Sequence, residues 1–180
     1  MKNYSDRKYT IESYNPLWKS QFEKEAEIVR NIFGTSAISI EHVGSTAVPN
    51  LSGKPTIDVL VVVNSIEEIE KFTPSMIEAG YLDKGEYITK NTRLFAREKD
   101  NERLVNIHVF PKGTPRIQQM VAVRDFLRTH PSKVEEYNEL KKELYSKYPH
   151  DYRMYRKYKD EWMEKIIESV CSLPNSIMVS

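Results

Sequence analysis

The sequence predicts an α+β domain: a mixed β-sheet core with flanking helices, followed by a segment that is helical throughout. Three observations carry this. Residues 56–63 form a short run that is apolar on both faces, the pattern of a strand inside a sheet. Residues 37–43 alternate with a period of two, and 93–99 and 103–110 read as two further strands joined by a hairpin signal. After Pro111 and Gly113 only helical spacing returns. With 180 residues, 39% of them hydrophobic, the chain reads as one domain over 1–180, its core at about 10–112 and its C-terminal helices at about 114–172.

Each element has a local reason. Residues 11–16 are an extended entry broken at Asn15-Pro16. From Leu17 the residues Trp18, Phe22, Ala26, Val29 and Phe33 share one helical face, and Gly34 stops the helix. In the strand at 37–43, Ile38, Ile40 and His42 lie on one side, Ser39, Glu41 and Val43 on the other. Gly44-Ser45-Thr46 follows at once, and a loop rich in Pro, Gly and Asn leads to the apolar strand. Residues 66–79 return to helical spacing through Ile69, Phe72, Met76 and Ile77, with Gly80 as the stop. Asp100-Asn101 joins the last two strands as a hairpin. His130-Pro131 and Pro149 divide the remainder into helices near 116–129, 132–148 and 152–172, with an irregular tail from Pro174.

Charge and composition exclude several classes. Lys+Arg is 27 and Asp+Glu 26, a net charge of +1, so a dedicated nucleic-acid binder is not expected. The single cysteine, Cys171, excludes an intrachain disulfide and an all-cysteine zinc site. The longest apolar run, 59–63, is too short to span a bilayer, and residues 1–9 lack the apolar core of a signal peptide. A cytoplasmic protein without membrane association is the expectation. Residues 1–111 carry −2 and residues 112–180 carry +3, so the small basic excess sits on the helices.

Three polar residues interrupt the apolar strands. A strand ending in Gly44-Ser45 exposes backbone N–H groups where no β-carbon blocks an approaching phosphate. A plain tight turn is the commoner use of such a dipeptide. Asp58 lies inside the apolar strand, where a carboxylate is costly unless it is paired or holds a cation. Hydrogen bonds to backbone amides or to Lys54 would satisfy it equally well. His108, two residues after Asn106, occupies a third strand, either as a satisfied core histidine or as a ligand. Glu41, Asp58 and His108 converging at one end of the sheet would make a catalytic cluster, with Asp58 and Glu41 able to hold a divalent metal.

Many spaced motifs then resemble one family. They are Tyr14-Asn15-Pro16-Leu17-Trp18, then His42-Val43-Gly44-Ser45-Thr46-Ala47-Val48-Pro49-Asn50-Leu51, and Lys54-Pro55-Thr56-Ile57-Asp58-Val59. Further along come Arg93 and Arg97, Asn106-Ile107-His108-Val109, Arg124-Asp125-Phe126-Leu127-Arg128 with His130-Pro131, and Tyr137, Lys141, Tyr155 and Lys159. Over nearly its whole length the chain resembles the GrpB family of the nucleotidyltransferase-fold superfamily; Asn50 stands where that family usually has Gly.

The resemblance implies a nucleotidyltransferase-like core in which the Gly-Ser turn holds nucleotide phosphates and acidic residues on the next strand bind magnesium. Gly44 and Ser45 match the turn, with Thr46 beside them, and Asp58 matches one carboxylate. Thr56 and Leu60, two positions away on either side, are not acidic, and the later strand offers Asn106 and His108 instead of a carboxylate. Lys54, Arg93, Arg97, Arg124 and Arg128 are the expected cations of the phosphate site; Arg93 and Arg97 share a strand face, and Arg124 and Arg128 a helix face. Solvated edge charges are the alternative for the first pair. Lys141, Tyr152, Tyr155, Tyr158 and Lys159 read first as an aromatic core with snorkelling cations. The expected function is binding of a nucleotide or other phosphorylated small molecule, with Mg2+ or Mn2+ and nucleotidyl or phosphoryl transfer to an acceptor the sequence does not name. The alternative is a non-catalytic binding or regulatory module with a degenerate metal site. A link to coenzyme A chemistry follows from the family alone, some relatives being fused to dephospho-coenzyme A kinase.

Overall fold

The computed structural model describes residues 9–86 and 90–171, so the expected irregular tail from Pro174 lies outside the described residues. The chain runs α1 (Leu17–Phe33), β1 (Ser39–Val43), β2 (Ile57–Val63), α2 (Ile66–Glu78), β3 (Leu82–Asp83), β4 (Arg93–Lys99), β5 (Glu102–Pro111), α3 (Pro115–Thr129), α4 (Pro131–Lys147) and α5 (Tyr152–Cys171). The five strands form one mixed sheet in the order β1-β2-β5-β4-β3, with β2 and β5 parallel and the other pairs antiparallel. The apolar run is therefore an interior strand, buried along nearly its whole length. Asp100 and Asn101 both take positive φ (51° and 66°), the conformation a two-residue hairpin turn requires, and β4 and β5 pair across them. The two-residue strand β3 has no signal in the sequence, being too short for alternation to show.

Period-two geometry sorts the sheet into two faces. Val59, Val61, Phe95, Val105 and Ile107 pack under α1 and α2, against Trp18, Val29, Phe33, Ile69 and Met76. Val43, Leu60, Val62 and Phe110 face the other way, onto Ile117, Met120 and Val121 of α3. Asp58 pairs in register with Asn106, Leu60 with His108, and Val43 with Asp58, so these polar groups share the α3 face. The C-terminal helices are tied to the sheet through the loop after β1. Val48 and Leu51 of that loop pack with Val123, Leu127, Val134, Tyr137 and Ile166 from all three helices. Asn138 of α4 accepts from the Ser52 amide (2.8 Å) and donates to the Asn50 carbonyl (2.9 Å). Asn50 itself has φ 63°, a left-handed conformation that Gly or Asn adopts at least cost.

Candidate functional site

Between the α3 face of the sheet and helices α3, α4 and α5 lies a cavity of about 530 Å³. That size falls in the range of small-molecule sites. Its sheet side is built from the Gly44-Ser45 turn, Asp58, Asn106 and His108. Gly44 has φ 76° and ψ −172°, and Ser45–Ala47 continue as a single 3-10 turn. A β-carbon at Gly44 would lie 2.5 Å from Asp58 Oδ2, so the bare backbone is needed because the Asp58 carboxylate comes up against it.

Asp58 is the carboxylate of the sheet floor. Its Oδ1 accepts from Asn106 Nδ2 (2.7 Å) and lies 3.3 Å from His108 Nε2; a quarter of its side chain is exposed. Burial alone would raise its pKa, but the His108 hydrogen bond and charge, Asn106 and Lys54 outweigh it, so the group sits below the ordinary carboxylate range and is ionised at neutral pH. The bonds that satisfy it come from side chains of β5 and not from backbone amides.

The remaining expected site residues separate into those in the cavity and those outside it. Lys54 lines it, its ammonium donating to Tyr152 Oη (2.7 Å). Arg124 lines it too, but its guanidinium is already engaged with Glu41 Oε2 (2.7 Å), the His42 carbonyl (3.1 Å) and Asp125 (2.7 Å). Glu41 is thereby held on Arg124 and does not line the cavity with Asp58. Arg128 donates to the Ala47 carbonyl (3.0 Å), bracing the turn from outside. Thr46 is buried with its hydroxyl between His42 Nε2 (3.0 Å) and the Thr56 carbonyl (3.3 Å), a bond set that holds the loop rather than facing the cavity.

Arg93 and Arg97 do share a strand face, but it is the opposite face of the sheet. In register they pair with Val109 and Val105, which point to α1 and α2. Arg93 reaches Asp83 (3.5 Å), and Arg97 binds the buried Glu25 of α1 (2.7 Å) and lies over the Tyr81 ring. Neither is part of this cavity. Their face is set by the register of β4 on β5, which no local pattern discloses.

Other cations take their place. Arg103, Arg116, Lys141, Arg156 and Lys159 line the cavity with Lys54 and Arg124, seven basic side chains against the carboxylates of Asp58, Asp160 and Glu164. Lys141 is only 1% exposed, with its ammonium over the Tyr137 ring (4.1 Å), donating to the Ser52 carbonyl and to Ser45 Oγ (3.2 Å). The sequence signal for Lys141 and Lys159 was their alternation with tyrosine, which suits a snorkelling core as well as a cavity wall. Arg156, between Tyr155 and Tyr158, shares that alternation, whereas Arg103 and Arg116 carry no such pattern. The donor set does not suit a two-metal centre, since Asp58 has no second carboxylate beside it. Among the described residues no group of three or more His, Cys, Asp and Glu side chains is placed to share a metal ion. No helix of the described residues is long and apolar enough to cross a membrane.

A family model described as GrpB protein matches residues 8–169. The chain belongs to the GrpB family. Among its GrpB relatives, UPF0157 protein YqkA of Bacillus subtilis (strain 168) is 38% identical over 166 residues, 92% of this chain and 48% of that protein. The chain thus spans about half the length of that relative. The Glutamate-rich protein GrpB of Alkalihalophilus pseudofirmus is 32% identical, covering 88% of this chain and 93% of the relative. Proteins named dephospho-CoA kinase, such as that of Mycobacterium bovis, match at 26% identity over 68% of this chain and 36% of their own length. The crystal structure of conserved protein GrpB from Enterococcus faecalis superposes with a TM-score of 0.85 at 32% identity, covering 91% of this chain and 98% of that one. The Cid1 poly(U) polymerase, crystallised bound to MgATP, superposes with a TM-score of 0.52 at 10% identity over 74% of this chain and 44% of that one. That likeness establishes a nucleotidyltransferase-like fold for this GrpB chain and nothing about its ligand.

Proposed function

We propose that the chain binds a phosphorylated small molecule in the cavity between the sheet and the C-terminal helices, without a resident metal centre. One observation carries this reading: seven basic side chains and three carboxylates line a cavity of about 530 Å³ that opens on the Gly44-Ser45 turn. An excess of cations in a sheltered cavity favours an anionic occupant, because charge interactions strengthen as water is excluded. Glu41 being tied to Arg124 leaves Asp58 without the second carboxylate that two-metal transfer uses. A binding or regulatory module of nucleotidyltransferase-like fold is therefore the better-supported role.

A second reading, nucleotidyl or phosphoryl transfer assisted by Mg2+ or Mn2+, rests on Asp58 remaining ionised beside the turn. Thermal unfolding in the presence of nucleoside triphosphates, dephospho-coenzyme A, coenzyme A and sugar phosphates decides between them. Each compound is run with EDTA and then with Mg2+ or Mn2+. Stabilisation that persists in EDTA supports the binding module. Stabilisation that needs the metal supports transfer. A chain indifferent to every phosphorylated compound has some other role.

A further inference from the structure

Lys141 of α4 is a buried lysine with no counter-charge. It is 1% exposed and forms no ion pair among the described residues. Its nitrogen lies over the Tyr137 ring (4.1 Å), against the Ser52 carbonyl, and 3.2 Å from Ser45 Oγ. An ammonium that meets only uncharged groups in a buried place is costly, and loss of its proton removes that cost. Burial, with the charge of Lys159 from α5, accordingly pushes Lys141 well below the ordinary lysine range. As a neutral amine the group keeps two N–H donors and gains a lone pair. The donors suit the Ser52 carbonyl and the ring face. The lone pair then has the Ser45 hydroxyl as its partner, and in that state the hydroxyl donates to the amine.

The serine is held as firmly as the lysine. Ser45 opens the turn after Gly44 and lines the cavity. A β-carbon at Gly53 would lie 2.8 Å from Ser45 Cβ, so glycine there lets the loop close on the serine. Gly53 is itself fixed by two backbone hydrogen bonds with Glu12, each 2.9 Å. One segment therefore sets both partners: the Ser52 carbonyl holds the Lys141 nitrogen, and Gly53 lies against Ser45. Asn138, three residues before Lys141 on α4, secures the Ser52 amide (2.8 Å). A hydroxyl facing a cavity, a base within reach of it, and a third group that orients the base are the components of an activated serine.

We propose that Ser45 is a nucleophile and Lys141 its general base, in metal-free hydrolysis of an acyl donor whose leaving group carries phosphate. The serine chemistry goes beyond the binding role above; the choice of a phosphate-bearing donor rests on that reading. The hydroxyl gives its proton to the Lys141 amine as Oγ bonds to the carbonyl carbon, and the carbonyl π pair moves onto its oxygen. That charge develops in a cavity with more basic than acidic side chains. The π bond re-forms as the bond to the leaving group breaks. The leaving group departs with the electron pair and takes up the proton held by Lys141. Water then attacks the Ser45 ester, giving a proton to Lys141. Oγ leaves the acyl carbon and recovers that proton, so the products are a carboxylic acid and the phosphate-bearing leaving group.

The full chain is treated with a fluorophosphonate, which bonds to an activated serine and expels fluoride, and the adduct is located by peptide mass spectrometry. One adduct is expected, on Ser45, and none in Ser45→Ala. Lys141→Arg keeps the positive charge and the donors but cannot accept a proton. Its labelling rate is expected to fall about hundredfold, the usual worth of a general base. Labelling of the parent is expected to rise with pH and to be half-maximal below about pH 9, under the ordinary lysine range. Should Lys141→Arg not fold, that profile decides: a half-maximum at the ordinary lysine value overturns Lys141 as the base. Equal labelling of parent and folded Lys141→Arg overturns it too. Acetyl phosphate is expected to be hydrolysed above its spontaneous rate by the parent and not by Ser45→Ala, and inorganic tripolyphosphate to slow both reactions. Hydrolysis of p-nitrophenyl acetate but not of acetyl phosphate overturns the phosphate-bearing donor and leaves the serine chemistry. A chain that tripolyphosphate stabilises but that gives no Ser45 adduct overturns the serine chemistry and leaves the binding reading. A Ser45 adduct in a chain indifferent to every phosphorylated compound does the reverse.

Discussion

The Cα of Gly44 and the carboxylate of Asp58 are in direct apposition: a β-carbon at Gly44 would lie 2.5 Å from Asp58 Oδ2, and Gly44 holds φ at 76°. Two penalties therefore fall on Gly44→Ala, the left-handed backbone and the collision. The substitution is expected to cost about 2 kcal/mol or more, with about 1 kcal/mol of it from φ alone. In an Asp58→Ala background the 2.5 Å contact with Oδ2 is gone, and a 3.2 Å contact with the Cβ at position 58 remains beside the backbone penalty. Urea denaturation of the two single variants and the double variant measures the coupling. Strict additivity would show that the carboxylate does not press on the turn.

Asp58→Asn keeps the shape of the side chain and removes the anion from a cavity dominated by cations. Asn106 and His108 both touch Oδ1, so an amide oxygen in that place keeps both partners and the fold is expected to survive. The effect on tripolyphosphate is informative by its sign. In EDTA the affinity is expected to rise by about threefold to tenfold, because a repulsive charge has been removed. If Asp58 instead anchors a metal that the ligand needs, affinity in Mg2+ falls. Titration calorimetry of parent and variant in the two conditions reads the difference directly.

His42 lies on the other face of β1, stacked on Phe22 at 4.6 Å and 3.0 Å from Thr46 Oγ1. Burial lowers its pKa to about 4; Asp58 pulls it up, and Arg128 and Arg124 push it further down. In the unfolded chain the ring titrates near its ordinary value of 6.5. Between those values the unfolded state binds the extra proton, so stability is full above pH 6.5 and is lost as pH falls toward 4. The loss attributable to this ring is up to about 3 kcal/mol. His42→Gln is expected to flatten the stability profile between pH 6.5 and 4.5, measured by urea unfolding at each pH. An unchanged slope would place the acid sensitivity elsewhere.

Much of this site was legible because strand alternation is local. The pattern at residues 37–43 put Glu41 and Val43 on one side of β1, and that side is the one Asp58 shares. It did not show that Arg124, eighty-three residues later, would claim Glu41. Arg93 and Arg97 illustrate the same limit: their common face followed from spacing, but which face depended on the pairing of β4 with β5. Lys141 was hidden for another reason. A lysine beside tyrosines on a helix has one sequence pattern whether its ammonium reaches water or is buried over Tyr137, and only the approach of the loop carrying Ser45 and Ser52 decides it. Arg116 opens a helix next to Pro115, where a charge is ordinary and carries no periodic signal.

The assignment of Arg97 to the far face is tested by a variant that separates stability from ligand binding. Arg97 Nη1 donates to Glu25 Oε1 at 2.7 Å, while the Tyr81 hydroxyl donates to Glu25 Oε2. Glu25 is 9% exposed and belongs to α1, beneath the sheet face away from the cavity. Arg97→Met removes one partner and leaves that carboxylate with only a phenol. Breaking one side of a buried pair strands the other charge, and a loss of about 2–4 kcal/mol is expected here. Because the sheet stands between Arg97 and the cavity, tripolyphosphate affinity is expected to stay within about twofold of the parent, as for sites that share no contact. The double replacement Arg97→Met with Glu25→Leu removes both charges and is expected to recover most of the lost stability, since an apolar pair of similar volume often matches a buried ion pair. Denaturation curves give the stabilities, and titration below the unfolding range gives the affinity. A large loss of affinity in a variant that is still folded would return Arg97 to the ligand site and reverse the face assigned to it.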